Sequence, residues 1–239
     1  VEMVREELTP SKVLSQASFD NALAVAMAMG CSTNAIIHLI ALSRRAGFPL
    51  TLEDFDAAGR KVALLANIRP SGTEYLMEDF YYAGGLNALM CEMGDWLDGR
   101  ALTVTGQTLG AEIASAQTFL PDVIRARDNP VTTSPAMAVL RGSLAPDGCV
   151  MKPSAAAPRL HQHRAPCLVF DSYAQMKARI DDPDLEVTAA TILVMRGAGP
   201  LGGPGMPEWG MLPMPQKLLK QGVRDMLRIS DARMSGTSY

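Results

Sequence analysis

Apolar and polar positions alternate with a helical period through the first half of the chain. "SFDNALAVAMAMG" has a Ser-x-x-Asn/Asp start and a glycine stop, and "TNAIIHLIALSRRAG" repeats the plan with Ile36, Ile37, Ile40 and Ala41 as its apolar positions. Arg44 and Arg45 fall in the last turn of this second segment, ahead of Gly47, where cations suit a helix C-terminus. "TLEDFDAAGR" opens with Thr51 three residues ahead of Asp54, a capping-box spacing. "GTEYLMEDFYYAGGLNALMCEMGDWL" predicts two helices hinged at Gly84 and Gly85.

The pattern changes near "RDNPVTTSPAMAVLRGSLAPDGCVMKP". Pro130, Pro135, Pro146 and Pro153 interrupt short β-prone runs there, which suits turns between strands better than helix. "APCLVF", "TAATILVMRG" and "MLRIS" are short apolar runs bounded by turn residues and predict strands, whereas "SYAQMKARI" has helical spacing. A border between residues 132 and 133 therefore separates a helix-rich part, 1–132, from a mixed α/β part, 133–239.

Composition narrows the function classes. Apolar residues make up 48% of the chain and charged residues 20%, as in ordinary globular domains. A net charge of -3 and the lack of a basic cluster interleaved with aromatics argue against nucleic acid as a partner. No apolar run approaches the roughly 20 residues of a membrane span, so no membrane partner is expected and the cytoplasm is the expected location. The four cysteines, Cys31, Cys91, Cys149 and Cys167, are scattered without a C-x-x-C pair and are expected to be buried free thiols. His38, on the apolar side of its helix, is expected in the core.

Three stretches have the composition of sites. In "GCSTNAIIH", Ser32, Thr33 and Asn34 open a helix, so hydroxyl and amide groups stand beside free backbone N–H groups; this is either an ordinary N-cap or a place for a carboxylate or phosphate. In "MRGAGPLGGPGMPE", five glycines and three prolines precede Glu208, which suits either a plain connection or a shaped loop offering a carboxylate to a hard cation such as Mg²⁺. In "ISDARMSGTSY", a strand is followed by the hydroxyls of Ser235 and Thr237, at a strand end of the kind where α/β proteins bind ligands. A serine hydroxyl needs a base, a metal or a positive field to act. No Ser-His-Asp set or G-x-S-x-G elbow supplies one.

"GCSTNAIIHLIALSRRAG", "PSGTEYLMEDFYYAGGL", "LRGSLAPDGCVMKPSAA", "GGPGMPE" and "ISDARMSGTSY", in this order, resemble the family of dihydroxy-acid, 6-phosphogluconate and sugar-acid dehydratases. The likeness spans nearly the whole chain and is strongest to the sugar-acid branch. It implies a hydro-lyase that removes water from a 2,3-dihydroxy carboxylate with the help of Mg²⁺ and an iron–sulfur cluster. It assigns Ser235 as the base at C2, Glu208 as a Mg²⁺ ligand, and Ser32, Thr33, Asn34 and Thr237 to substrate binding.

The fold it implies is the helix-rich end of an α/β N-terminal domain, followed by most of a swivelling β/β/α barrel-like domain, in a homo-oligomer. None of the four cysteines matches a cluster motif, and the cluster ligands are expected in an N-terminal portion preceding these residues. The chain is likewise expected to stop before the end of the C-terminal domain, and residues 1–239 alone are expected to show no turnover. The branched-chain dihydroxy-acid enzyme is the alternative within the family. A non-catalytic module that binds small anions is the alternative outside it.

Overall fold

The computed structural model describes residues 2–199 and 212–234. The described residues form a mixed α/β structure that divides between Ser154 and Ala155 into two compact units. In the first unit, α1 (Glu2–Arg5), α2 (Pro10–Val13), α3 (Gln16–Met29), α4 (Thr33–Ala46), α5 (Leu52–Lys61), α6 (Met77–Tyr82), α7 (Gly85–Met93) and α8 (Leu109–Ile113) precede an antiparallel hairpin of β1 (Ala138–Gly142) and β2 (Ala145–Met151). In the second, β3 (Cys167–Phe170), α9 (Tyr173–Arg179), β4 (Ile192–Met195), α10 (Gln216–Lys220) and β5 (Arg228–Ser230) build a three-stranded parallel sheet in the order β3-β4-β5.

The first unit is organised around α3. Its start is fixed by a reciprocal cap: the Ser15 hydroxyl accepts from the Ser18 N–H, and the Ser18 hydroxyl accepts from the Ser15 N–H. Phe19, Leu23, Ala24, Ala26, Met27 and Ala28 are all buried, so apolar residues surround most of the helix and it runs through the core. Leu50, Phe55, Leu65, Leu89, Met93, Ile124 and Met137 complete that core. Asn21, buried on the same helix, pairs with Asp98 as one strand would with another, donating to its carbonyl at 2.9 Å and accepting from its N–H at 2.8 Å. The predicted Thr51–Asp54 cap is present, with the Thr51 N–H donating to the Asp54 carboxylate at 2.8 Å. The predicted hinge between α6 and α7 falls at Gly84.

Two expectations are corrected here. His38 is exposed, not in the core: α4 buries Ile36 and Ser43, seven residues apart on one line, and a residue two places after Ile36 lies about 200° around the helix. Ile37, about 100° from Ile36, is 40% exposed. The cysteines are free, but Cys91, Cys149 and Cys167 are exposed and only Cys31 is half-buried. Cys91 stands two residues from both Leu89 and Met93, which puts it opposite the buried line of α7. Cys149 and Cys167 lie on short strands whose outward faces are open.

The β1–β2 hairpin packs on α5 within the first unit, with Val139 opposite Val150 and Leu140 opposite Cys149. Compactness thus divides the chain after the hairpin, whereas the compositional change lies before it. In the second unit, α9 starts at Ser172, whose hydroxyl accepts from the Gln175 N–H, and covers the sheet with Met176. Phe170, Met176, Ile180, Leu193, Met195, Leu218 and Met226 form its separate core. No closed barrel is formed among the described residues, whose sheets have two and three strands. No helix among them is long and apolar enough to cross a membrane.

The parallel register sets the geometry that matters for function. Phe170 pairs with Met195 and Met195 with Ser230, so the three strands end level with one another. Their next residues, Asp171, Arg196 and Asp231, all emerge at the carboxyl edge of the sheet, where open α/β sheets bind ligands.

Candidate functional site

In the first unit the candidate residues sit on the turn between α3 and α4. Gly30 takes a left-handed conformation (φ 65°), with its N–H donating to Met27 O and the Cys31 N–H reaching back to Ala26 O, the hydrogen-bond pattern of a Schellman stop. Ser32 then caps α4, its hydroxyl accepting from the Asn34 N–H at 3.2 Å, while Thr33 and Asn34 are half-buried in the first turn. The Ser32 oxygen is thus engaged as an N-cap.

Two distant groups fasten this turn from outside. The buried Ser71 hydroxyl donates to Gly30 O at 2.7 Å, and the Lys152 ammonium donates to Gly30 O at 2.8 Å and Cys31 O at 3.2 Å. The cation therefore meets the carbonyl end of α3, where the helix dipole favours it. Burial pushes the Lys152 pKa down, opposed by the neighbouring Cys31. Burial likewise pushes the Cys31 thiol up, opposed by Lys152.

In the second unit the carboxyl edge of the sheet carries a charged network. Arg196 Nε donates to Asp171 Oδ1 at 2.6 Å, joining the ends of β3 and β4. Asp231 accepts from the Gly197 N–H through Oδ2 at 2.7 Å and from the Ala198 N–H through Oδ1 at 3.0 Å, joining the ends of β4 and β5. Gly197 is left-handed (φ 71°), and a Cβ on Gly199 would stand 3.0 Å from Asp231 O, so the two turns approach closely.

Of the residues singled out from sequence, Ser32, Thr33 and Asn34 share one turn of the first unit. Glu208, Ser235 and Thr237 lie outside the described residues. Sequence reasoning passed over Lys152, Ser71 and Asp231. Lys152 and Ser71 lie in the motifs "VMKPSAA" and "PSG", and nothing in the spacing of either stretch marks a remote partner. Among the described residues no three His, Cys, Asp or Glu side chains gather into a group that could hold a metal ion.

Comparison with known proteins matches the chain to two family models in succession. The family model for the dihydroxy-acid/6-phosphogluconate dehydratase N-terminal region matches residues 1–112, and that for the C-terminal region matches 122–239. The chain is 52% identical over its whole length to the 6-deoxy-6-sulfo-D-gluconate dehydratase of Pseudomonas putida, and 45% identical, again over its whole length, to the L-arabinonate dehydratase of Rhizobium leguminosarum bv. trifolii. The dihydroxy-acid dehydratase of Caldicellulosiruptor bescii matches the whole chain at 39%. The chain spans 42% of the length of the first two relatives and 43% of the third. With both halves matched by the paired models of one family, residues 1–239 belong to the dihydroxy-acid/6-phosphogluconate dehydratase family.

Proposed function

We propose that the enzyme containing this chain is a hydro-lyase acting on a sugar acid, converting a 2,3-dihydroxy carboxylate to a 2-keto-3-deoxy acid. The observation that carries this reading is the ordering of identities: 45–52% to dehydratases named for sulfogluconate and arabinonate, against 38–39% to those named for dihydroxy acids. In this reading the C-terminal part belongs to a swivelling β/β/α barrel-like domain that follows the helix-rich end of an α/β domain. The enzyme is a cytoplasmic homo-oligomer with a small-molecule substrate.

The chemistry asks two things of the protein. The C2 hydrogen beside a carboxylate is weakly acidic, so a base must stand at C2 with its own proton already removed; Ser235 takes that role. Loss of the C2 proton and of hydroxide from C3 yields an enol, which tautomerises to the keto acid, for a net loss of one water. The substrate carboxylate needs fixed donors, and the hydroxyls of Ser32 and Thr33, the side-chain amide of Asn34 and the hydroxyl of Thr237 are the groups of that type assigned to it. Mg²⁺, with Glu208 as one ligand, and an iron–sulfur cluster held by residues outside this chain would contribute Lewis acidity.

The test is turnover by the enzyme expressed from the full reading frame. Pentonates and hexonates, among them arabinonate and 6-deoxy-6-sulfogluconate, are compared with a dihydroxy-valerate by following keto-acid release. Preference for a sugar acid, with turnover lowered about 10²-fold or more in Ser235→Ala and Glu208→Gln, is the expected result. Preference for the dihydroxy-valerate would move the enzyme to the branched-chain alternative. Carboxylate binding without turnover, unchanged in Glu208→Gln, would reduce it to an anion-binding module.

A further inference from the structure

We propose that Asp231 is a positioning residue that locks the turn after β4 to the turn after β5, an inference that rests on the dehydratase reading above. The ladder between these strands ends at Met195 opposite Ser230. One residue further on, the Asp231 side chain takes over from the backbone, its two oxygens receiving the consecutive N–H groups of Gly197 and Ala198 at 2.7 and 3.0 Å. Consecutive N–H groups that converge in this way, with Gly197 left-handed at φ 71°, make a concave backbone site for an anion.

The residue type follows from the geometry. A carboxylate offers two acceptors and no donor, so it satisfies both N–H groups with charge-assisted bonds. An asparagine would satisfy one N–H and set its own NH₂ against the other. On the opposite side, the Ala232 N–H donates to the Ser230 hydroxyl at 3.1 Å, so the start of the second turn is also held. Ala198 is 2% exposed, which keeps water from replacing the carboxylate at its N–H.

The two turns held together here are those from which the segments bearing Glu208 and Ser235 continue in the sequence: Ser235 follows Asp231 by four residues and Glu208 follows Ala198 by ten. Among the described residues, the hydrogen bonds given for the Asp231 side chain both come from backbone N–H groups. Its contribution is the relative placement of two chain segments whose side chains act on one substrate, and misplacement by about 1 Å is enough to cost about 10²-fold in rate.

The experiment uses the complete enzyme, with the unsubstituted protein and its sugar acid as reference. Asp231→Asn keeps one acceptor and Asp231→Ala keeps none. The expected result is a kcat that falls in that order, reaching about 10²-fold for Asp231→Ala, with KM changed by less than about threefold. The primary deuterium isotope effect at C2 should grow, because a poorly placed base slows proton removal. Hydrogen exchange at the Gly197 and Ala198 amides should quicken in both variants while the Leu193 and Met195 amides stay protected. An unchanged kcat in Asp231→Ala, or a loss matched by lost protection at Leu193 and Met195, overturns the proposal. The Asp231→Asn variant serves the same test if Asp231→Ala does not fold. No turnover by the unsubstituted enzyme overturns the dehydratase reading instead, and exchange at Gly197 and Ala198 then shows by itself whether Asp231 holds the turn.

Discussion

Lys152 Nζ lies 2.8 Å from the carbonyl oxygen of Gly30, a residue 122 positions earlier in the chain. The contact closes the C-terminus of α3 with a charge and ties the segment after the β1–β2 hairpin to the turn that carries Ser32, Thr33 and Asn34. One carbonyl thus receives both this ammonium and the Ser71 hydroxyl, so three remote segments meet at one residue.

Replacing Lys152 by methionine keeps most of the side-chain volume and removes the charge-assisted bonds to Gly30 O and Cys31 O. Such bonds contribute about 1.5–3 kcal/mol each, but Gly30 O retains Ser71 and the cost of burying the ammonium disappears. The net loss expected is about 1–2 kcal/mol, read from denaturant unfolding. The Asn34 amide, whose bond to Ser32 depends on the shape of this turn, should exchange faster in the same variant. An unfolding midpoint equal to that of the unsubstituted chain would mean that the desolvated ammonium costs as much as its bonds return.

What the sequence made legible was whatever depends on neighbours in the chain. The stops at Gly30 and Gly47, the Thr51–Asp54 cap, the Gly84 hinge and the strands at 167–170, 192–195 and 228–230 are all local, and period and turn chemistry expose them. His38 and the cysteines were misplaced because burial is decided by which line of a helix or face of a strand meets the core. A helix such as α4, with apolar residues on more than one face, does not announce that line. The Lys152–Gly30 and Asp231–Gly197 bonds escaped because a side chain's reach to a remote carbonyl or amide leaves no periodic mark. The order of the parallel strands was equally silent, although it is what sets Asp171, Arg196 and Asp231 along one edge.

Asp98 gives a pH dependence with a definite sign. Its carboxylate receives bonds from the Arg100 side chain and then from the Arg100 backbone N–H, which together hold its pKa down at about 2 from an ordinary 3.8. A depressed folded-state value means that the folded form favours the carboxylate. The associated stability is therefore full above the unfolded pKa and is lost as pH falls from about 4 through about 2. In Arg100→Gln the larger contribution is removed while the backbone bond stays. The Asp98 carboxyl resonance should then titrate at a value between that of the unsubstituted chain and 3.8. Both groups are open to solvent, so added salt should move the unsubstituted value in the same direction. A titration midpoint unmoved by either change would show that the backbone N–H alone holds the carboxylate down.

Gly30 and Gly47 end consecutive helices in the same left-handed conformation, at φ 65° and 85°, and alanine at each separates two reasons for glycine. At Gly47 a Cβ would meet nothing within 4 Å, so Gly47→Ala exposes only the backbone penalty, about 1–2 kcal/mol. At Gly30 the Cβ would fall 2.3 Å from Ser71 Oγ, 2.4 Å from Ser71 Cβ and 2.9 Å from Leu64 Cδ1, all on buried residues. Ser71 must then shift, and its bond to Gly30 O is broken, so Gly30→Ala should cost about 2 kcal/mol more than Gly47→Ala in denaturant unfolding. The pair Gly30→Ala with Ser71→Gly removes the overlap with Ser71, leaves only the flexible Leu64 Cδ1 at 2.9 Å, and should recover part of that difference. Equal losses for the two single variants would show that the core relaxes around the added methyl, and that the conformation of Gly30, not its closeness to Ser71, is what requires glycine.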